Sequence, residues 1–167
     1  MGLRKPERLT AAHKIDGFAC RHPSLARWLK EKALASQVQG SSNTFVVCDD
    51  SGEGTEVIGF YSLSAGQIRH DQLPSAKLRR NMPDPIPAAL LGRLAVHGDH
   101  ERRGIGSGLL KDATLRCVAA AQEGPAVAAI LCHAIDESAK DFYLKHGFVQ
   151  SPIEDLTVML SLKGFMA

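Results

Sequence analysis

The chain lacks a Cys-x-x-Cys pair: its four cysteines, Cys20, Cys48, Cys117 and Cys132, are scattered and each sits among apolar neighbours. That argues against a disulfide framework and makes each thiol a small core residue rather than a nucleophile. The seven histidines show no metal-ligand spacing, so no metal is expected. There is no signal peptide and no long apolar run, which excludes a membrane span and makes a reduced cytoplasm the expected location. Met1-Gly2 opens as a myristoylated chain would, but Pro6 stands where Ser or Thr is needed.

What is present is a glycine run at mid-chain. Gly92-Arg93-Leu94-Ala95-Val96 is followed, after six residues, by Arg103-Gly104-Ile105-Gly106-Ser107-Gly108-Leu109-Leu110. An apolar strand ends at Val96, a charged turn follows, and three alternate glycines open a helix. Bare N–H groups with the positive end of a helix dipole behind them can converge on a phosphate, and Gly106 is expected to need a positive φ. Gly108 is followed by Leu109-Leu110, which excludes a P-loop, and Gly-x-Gly-x-Gly in mid-chain does not fit a dinucleotide fold. The loop reads as a pyrophosphate cradle.

The length of 167 residues suits a single domain, 1–167, whose core needs no staples. Patterning predicts a helix over Pro23 to Val38 with Lys32 snorkelling from its apolar side, and strands over Thr44 to Cys48 and Val57 to Leu63 around a hairpin loop. A buried strand over Ala88 to Val96 precedes a long helix over Gly104 to Gln122. A strand over Ala128 to Ala134, a helix capped by Asp136 and stopped by Gly147, and a strand over Leu156 to Leu162 complete a mixed α/β sheet flanked by helices.

The net charge of +2 hides an asymmetry: residues 1–48 hold eight Lys/Arg against three acids, a local +5. Lys77, Arg79 and Arg80 form a second basic cluster. A one-sided field suits a polyanion such as nucleic acid, and it equally suits a solvated face balanced by acids in the fold. Tyr143, on the last helix, is open to two readings as well: a core aromatic, or an acid able to protonate a departing thiolate where geometry holds it there.

Arg-Gly-x-Gly-x-Gly behind Leu-Ala-Val resembles the acetyl-CoA loop of the GNAT N-acetyltransferases. Thr44-Phe45-Val46-Val47-Cys48, Gly59-Phe60-Tyr61-Ser62-Leu63, the run Leu78 to Pro87 containing Arg79-Arg80-Asn81-Met82-Pro83-Asp84-Pro85, and Phe142-Tyr143-Leu144-Lys145-His146-Gly147-Phe148 narrow the likeness. They resemble the GNAT toxins of type II toxin–antitoxin pairs, which acetylate the amino acid on charged tRNA. The resemblance implies a GNAT fold, with a twisted sheet splayed at the acetyl-CoA site between the strands ending at Val96 and Ala134. It implies Tyr143 as the catalytic residue, and Leu94, Ala95, Val96, Arg103, Gly104, Ile105, Gly106, Ser107 and Gly108 as acetyl-CoA contacts. Lys30, Lys32, Arg79, Arg80 and Arg93 become the expected tRNA-binding positions. It further implies aminoacyl-tRNA as acceptor, a ribbon-helix-helix antitoxin as partner, and a homodimer.

The acceptor has independent support. A lysine ammonium, with a pKa of about 10.4, needs a base, and no carboxylate stands on Ala88 to Val96. An α-amino group titrates near 8, and esterification to tRNA lowers it further. The alternatives are a GNAT enzyme for a small amine or a protein amine, and a non-catalytic acetyl-CoA- or nucleic-acid-binding module.

Overall fold

The computed structural model describes residues 4–166. The strands are β1 (Glu7–Arg8), β2 (Asn43–Cys48), β3 (Val57–Ile68), β4 (Ile86–Val96), β5 (Ala129–His133), β6 (Val149–Gln150) and β7 (Thr157–Ser161). The helices are α1 (Pro23–Glu31), α2 (Ala33–Val38), α3 (Ala76–Arg79), α4 (Ile105–Glu123) and α5 (Glu137–Lys145). The strands form one mixed sheet in the order β1-β2-β3-β4-β5-β7-β6, with β4 and β5 parallel and the β1–β2, β2–β3, β5–β7 and β6–β7 pairs antiparallel. Among the described residues no helix is long and apolar enough to cross a membrane.

The chain divides into two compact units, Met1–Ser64 with Gly92–Ala113, and Ala65–Leu91 with Thr114–Ala167. In the first, β2 pairs β3 from Asn43↔Leu63 to Val47↔Gly59, with an irregularity between Val47 and Cys48. Alternation along these strands and the apolar stripe of α1 bury Leu9, Phe18, Ala26, Leu29, Val46 and Phe60 in one core. Phe18 meets the Phe60 ring edge-on at 5.5 Å, and Trp28 stacks on it at 6.3 Å. Gln37 is buried because its amide is fully used: Nε2 donates to the Leu9 carbonyl at 2.8 Å and Oε1 accepts from Thr44 N–H at 3.0 Å.

Gly59 decides how close α4 can come. A Cβ built there would lie 3.0 Å from Leu109 Cδ1, 3.0 Å from Val47 Cγ1 and 3.3 Å from Ile105 Cγ2. An alanine would therefore overpack the seat of the first turns of α4.

In the second unit, β4 runs parallel to β5 through Ala88↔Ala129, Ala89↔Ile130 and Leu90↔Leu131, and β7 adds to β5 from Ala129↔Ser161 to His133↔Thr157. Its core gathers Ile68, Leu73, Ile86, Ala88, Ala129, Leu131 and Met159. Asp136 caps α5 by accepting from Ala139 N–H at 2.8 Å, and Gly147 stops it at φ 95°. Lys140 is buried with its ammonium 2.9 Å from Glu137 and 3.4 Å from Asp155.

The single helix expected over Pro23 to Val38 is two. Lys32, at φ −123°, donates its N–H to Trp28 at 2.8 Å, closing α1, while its carbonyl accepts from Ser36 at 2.9 Å, opening the next helix. Ala26, Leu29, Ala33 and Gln37 are all buried, so the apolar period passes through the break unchanged. Lys32 marks the break and is exposed, rather than snorkelling from the side of a continuous helix. The strands β1 and β6 and the helix α3 had no periodic signature because they are two, two and four residues long.

The Gly59 contact sets a test of the packing. Gly59→Ala destabilises the chain by about 1–3 kcal/mol, the usual cost of overpacking, read as a lower urea midpoint at unchanged slope.

Candidate active site

The cradle residues belong to the first unit. Leu94 and Val96 are half-buried at the end of β4, and Ala95 packs into the core. The turn that follows is held by His97: its backbone N–H donates to Ile58 at 2.8 Å, and its Nδ1 accepts from Asp99 N–H at 3.1 Å. That acceptor role puts the ring proton on Nε2, which donates to the Gly17 carbonyl at 3.1 Å. Gly98 N–H donates to Ala19 at 2.9 Å, so segment 17–19 fixes the turn from a second side.

Beyond the turn the backbone folds sharply. Arg102 and Gly104 take positive φ, 62° and 77°, and the first intrahelical bond of α4 runs from Gly108 N–H to the Gly104 carbonyl at 3.1 Å. The positive φ expected at Gly106 therefore falls at Gly104. Gly106 lies inside the helix, and its lack of Cβ leaves the helix surface bare rather than permitting a left-handed turn. The N–H groups of Ile105 and Gly106 precede the acceptors that the helix itself supplies, and the dipole adds positive potential there. An anion of phosphate size fits this end by charge and by donor direction. The exposed Arg103 extends the cationic character, and its Nη1 lies 2.6 Å from His100 Nδ1.

Tyr143 belongs to the second unit. It sits on α5, 5 % exposed, with its ring 5.3 Å from Phe142 and 5.2 Å from Phe148. Burial first, and then the hydrogen-bonded Cys132 thiol, push the phenol pKa well above its ordinary value. The phenol is thus an OH at every pH the protein meets. Burial also pushes the Cys48, Cys117 and Cys132 thiols up to about 11.

The basic positions divide by role. Lys30 and Lys32 are exposed at the ends of α1 and of the break. Arg93 is half-buried, with its guanidinium 3.9 Å from the centroid of the Trp28 ring, and desolvation lowers its pKa without discharging it. Arg79 donates from Nη1 to the Leu73 carbonyl at 3.1 Å and to His70 at 3.5 Å, so it ties down the preceding turn, whereas Arg80 is exposed. The particular contacts that Gly59, His97, Trp28 and Cys132 make went unmarked in the sequence. Only Gly59 carried a local signal, as an isolated glycine inside a strand.

Residues 40–150 match the acetyltransferase (GNAT) domain family. The chain is 43% identical over 166 residues to a tRNA-acetylating toxin of Mycobacterium tuberculosis, covering 99% of this chain and 96% of the relative. Among solved structures it resembles AtaT complexed with acetyl-methionyl-tRNAfMet, at a TM-score of 0.90 and 22% identity over 98% of this chain and 97% of the other. It also resembles a tyrosine-to-phenylalanine mutant of AtaT bound to acetyl-CoA and the C-terminus of the antitoxin AtaR, at a TM-score of 0.80 and 21% identity over 97% of this chain and 94% of that one. With a family match over two-thirds of its length and a relative of this identity end to end, the chain belongs to the GNAT acetyltransferase family.

Proposed function

We propose that this protein is a toxin that transfers acetyl from acetyl-CoA to the free α-amino group of aminoacyl-tRNA, blocking translation until a cognate antitoxin neutralises it. The observation that carries the reading is the 43% identity across 99% of the chain to a tRNA-acetylating toxin. The residues support it in three ways.

First, Ile105, Gly106, Ser107 and Gly108 at the start of α4, with Arg103 and Gly104 before them, would hold the pyrophosphate of acetyl-CoA. The backbone of Leu94, Ala95 and Val96 would bond the amides of the pantetheine arm. Second, β4 carries no carboxylate, in keeping with an amine that is already partly neutral. Third, Tyr143 would face the thioester sulfur. As the amine attacks, the carbonyl carbon becomes tetrahedral; when the C–S bond breaks, the pair stays on sulfur and the phenol OH stabilises the thiolate. A thiol of pKa near 8.5 cannot draw a proton outright from so weak an acid. The phenol proton therefore crosses as the ammonium of the adduct gives up its own through water, and the tyrosine is left neutral.

Lys30, Lys32, Arg80 and Arg93 would meet RNA phosphates, while the bonds of Arg79 to Leu73 and His70 give it a structural share. We further infer a ribbon-helix-helix antitoxin, with an acidic tail drawn to the same basic groups, a homodimer whose two basic faces span one tRNA, and a cytoplasmic location, where charged tRNA is found. Arg4, Lys14 and Arg27 of the positive N-terminal segment pair with Asp50, Glu53 and Glu31; the alternative, acetylation of a small or protein amine, would give the exposed Lys30 and Lys32 no polyanion to meet.

Tyr143→Phe keeps the fold and acetyl-CoA affinity and lowers kcat by about 100-fold or more, measured as acetyl transfer to charged tRNA. Since the phenol must stay protonated and its pKa is raised, kcat/KM rises with pH through the amine pKa, which esterification sets below about 8, and shows no loss from tyrosine ionisation up to about pH 10. The profile is read in single-turnover assays shorter than ester hydrolysis. A falling limb below pH 10 in the wild type that Tyr143→Phe removes would contradict the assignment.

Arg80→Glu weakens tRNA binding and reduces the salt slope of log K by about 1, leaving acetyl-CoA binding intact by calorimetry. Arg79→Ala lowers the unfolding midpoint as well, because the Leu73 carbonyl loses the guanidinium donor and the His70 carbonyl keeps only the Leu73 N–H.

A further inference from the structure

Glu7 and His13 stand six residues apart and Cys48 far along the chain, yet one ligand atom from each lies within 4.8 Å of the other two. The fold assembles them from the edge of the first unit. Glu7 stands opposite Val46 in the β1–β2 ladder, and Cys48 is two residues further along β2, on the same face and within reach of a glutamate side chain. His13 arrives on a loop pinned on both sides, by Leu9 N–H to the Thr44 carbonyl at 2.8 Å and Lys14 N–H to the Thr55 carbonyl at 2.8 Å. Its ring is oriented by Thr10 N–H, which donates to Nδ1 at 2.9 Å, and Nε2 lies 2.8 Å from Glu7 Oε1. The His13 side chain is 6% exposed and Cys48 is 1% exposed.

We propose that Glu7, His13 and Cys48 form a binding site for a divalent transition metal of the zinc class, with a carboxylate oxygen, Nε2 and Sγ as three ligands and water as the fourth. The donor set chooses the metal. Thiolate with imidazole and carboxylate suits Zn²⁺ and Co²⁺, whereas Mg²⁺ and Ca²⁺ take oxygen ligands. Binding moves protons and no electrons. The Cys48 thiol releases its proton to water as the sulfur–metal bond forms, which a coordinated cation drives even for a buried thiol. Ligation through Nε2 requires the His13 proton to move, through water, from Nε2 to Nδ1; the bond from Thr10 N–H to Nδ1 is then given up, and Thr10 Oγ1, 3.3 Å away, accepts the Nδ1 proton in its place. A cavity of about 600 Å³, lined by the loop from Leu9 to Gly17 with Leu34 and Glu56, gives the ion a way in beside His13. The site has no part in acetyl transfer. Its effect is mechanical: β1 holds to β2 through two paired residues, and a metal would tie it and the His13 loop to the buried end of β2.

The test uses the full chain, stripped with a chelator and titrated with Co²⁺ and Zn²⁺. One equivalent of Co²⁺ should give a thiolate-to-cobalt charge-transfer band in the near ultraviolet with intense four-coordinate visible bands, and Zn²⁺ should displace it and raise the unfolding midpoint. Cys48→Ser should remove the charge-transfer band. His13→Gln and Glu7→Gln should each weaken binding by more than about tenfold, the lower edge of the effect of merely supporting residues, and Cys20→Ser should change nothing. Glu7 is exposed, so its variant keeps the fold and isolates the ligand effect. No thiolate band at saturating Co²⁺, a band that survives Cys48→Ser, or wild-type affinity in Glu7→Gln would overturn the site.

Discussion

A helix can present its first N–H groups to an anion only if its end is both bare and held firmly, and the first unit satisfies the two demands at different residues. Bareness comes from Gly104, Gly106 and Gly108. Firmness comes from Ile105 and Leu109, each buried, which lie close enough to Gly59 that a Cβ on β3 would collide with them. Leu109 and Ile105 sit four apart, so one face of the first turn is anchored while the axis end stays open. The charged turn between Val96 and Gly104 must then reverse the chain in a few residues. His97 and its bonds to Ile58, Gly17 and Asp99 set that reversal. Losing any of these contacts would leave the glycines in place and the donors misaimed.

The second unit solves a different problem, that of a weak acid in an apolar setting. Phe142, Phe148 and Cys132 surround Tyr143 with groups that solvate a phenolate poorly, so the phenol keeps its proton. Such a group is a good hydrogen-bond donor to a developing thiolate and a poor source of free protons. On the proposed mechanism the amine would supply the proton that balances the reaction. This matches an acceptor whose ammonium forms only during attack, and it fits the lack of a carboxylate on β4.

The sheet and the long helix were legible because their signals are repetitive: alternation in β2 and β3, an apolar run in β4, and Asp136 and Gly147 as punctuation for α5. The glycine-rich turn into α4 was legible as spacing. Its conformation was not, because which of three glycines takes positive φ depends on where the helix begins, and helix boundaries follow from Ile105 and Leu109 packing on β3. The break at Lys32 was hidden for a related reason, since burial at Ala26, Leu29, Ala33 and Gln37 keeps helical phase across it. Arg79 and Arg80 look alike in sequence, and only the carbonyls of Leu73 and His70 distinguish them. The meeting of Glu7, His13 and Cys48 is invisible to spacing because β-pairing and a pinned loop create it.

The acceptor is tested most directly by offering labelled acetyl-CoA in parallel to charged tRNA, deacylated tRNA and lysine-bearing peptides, with the position of the label read by mass spectrometry. An aminoacyl-tRNA acetyltransferase places label on the α-amino group of charged tRNA alone, and the label is lost when the amino acid is removed. Label on peptide or small amines at comparable rates, with none on charged tRNA, would contradict the proposed function.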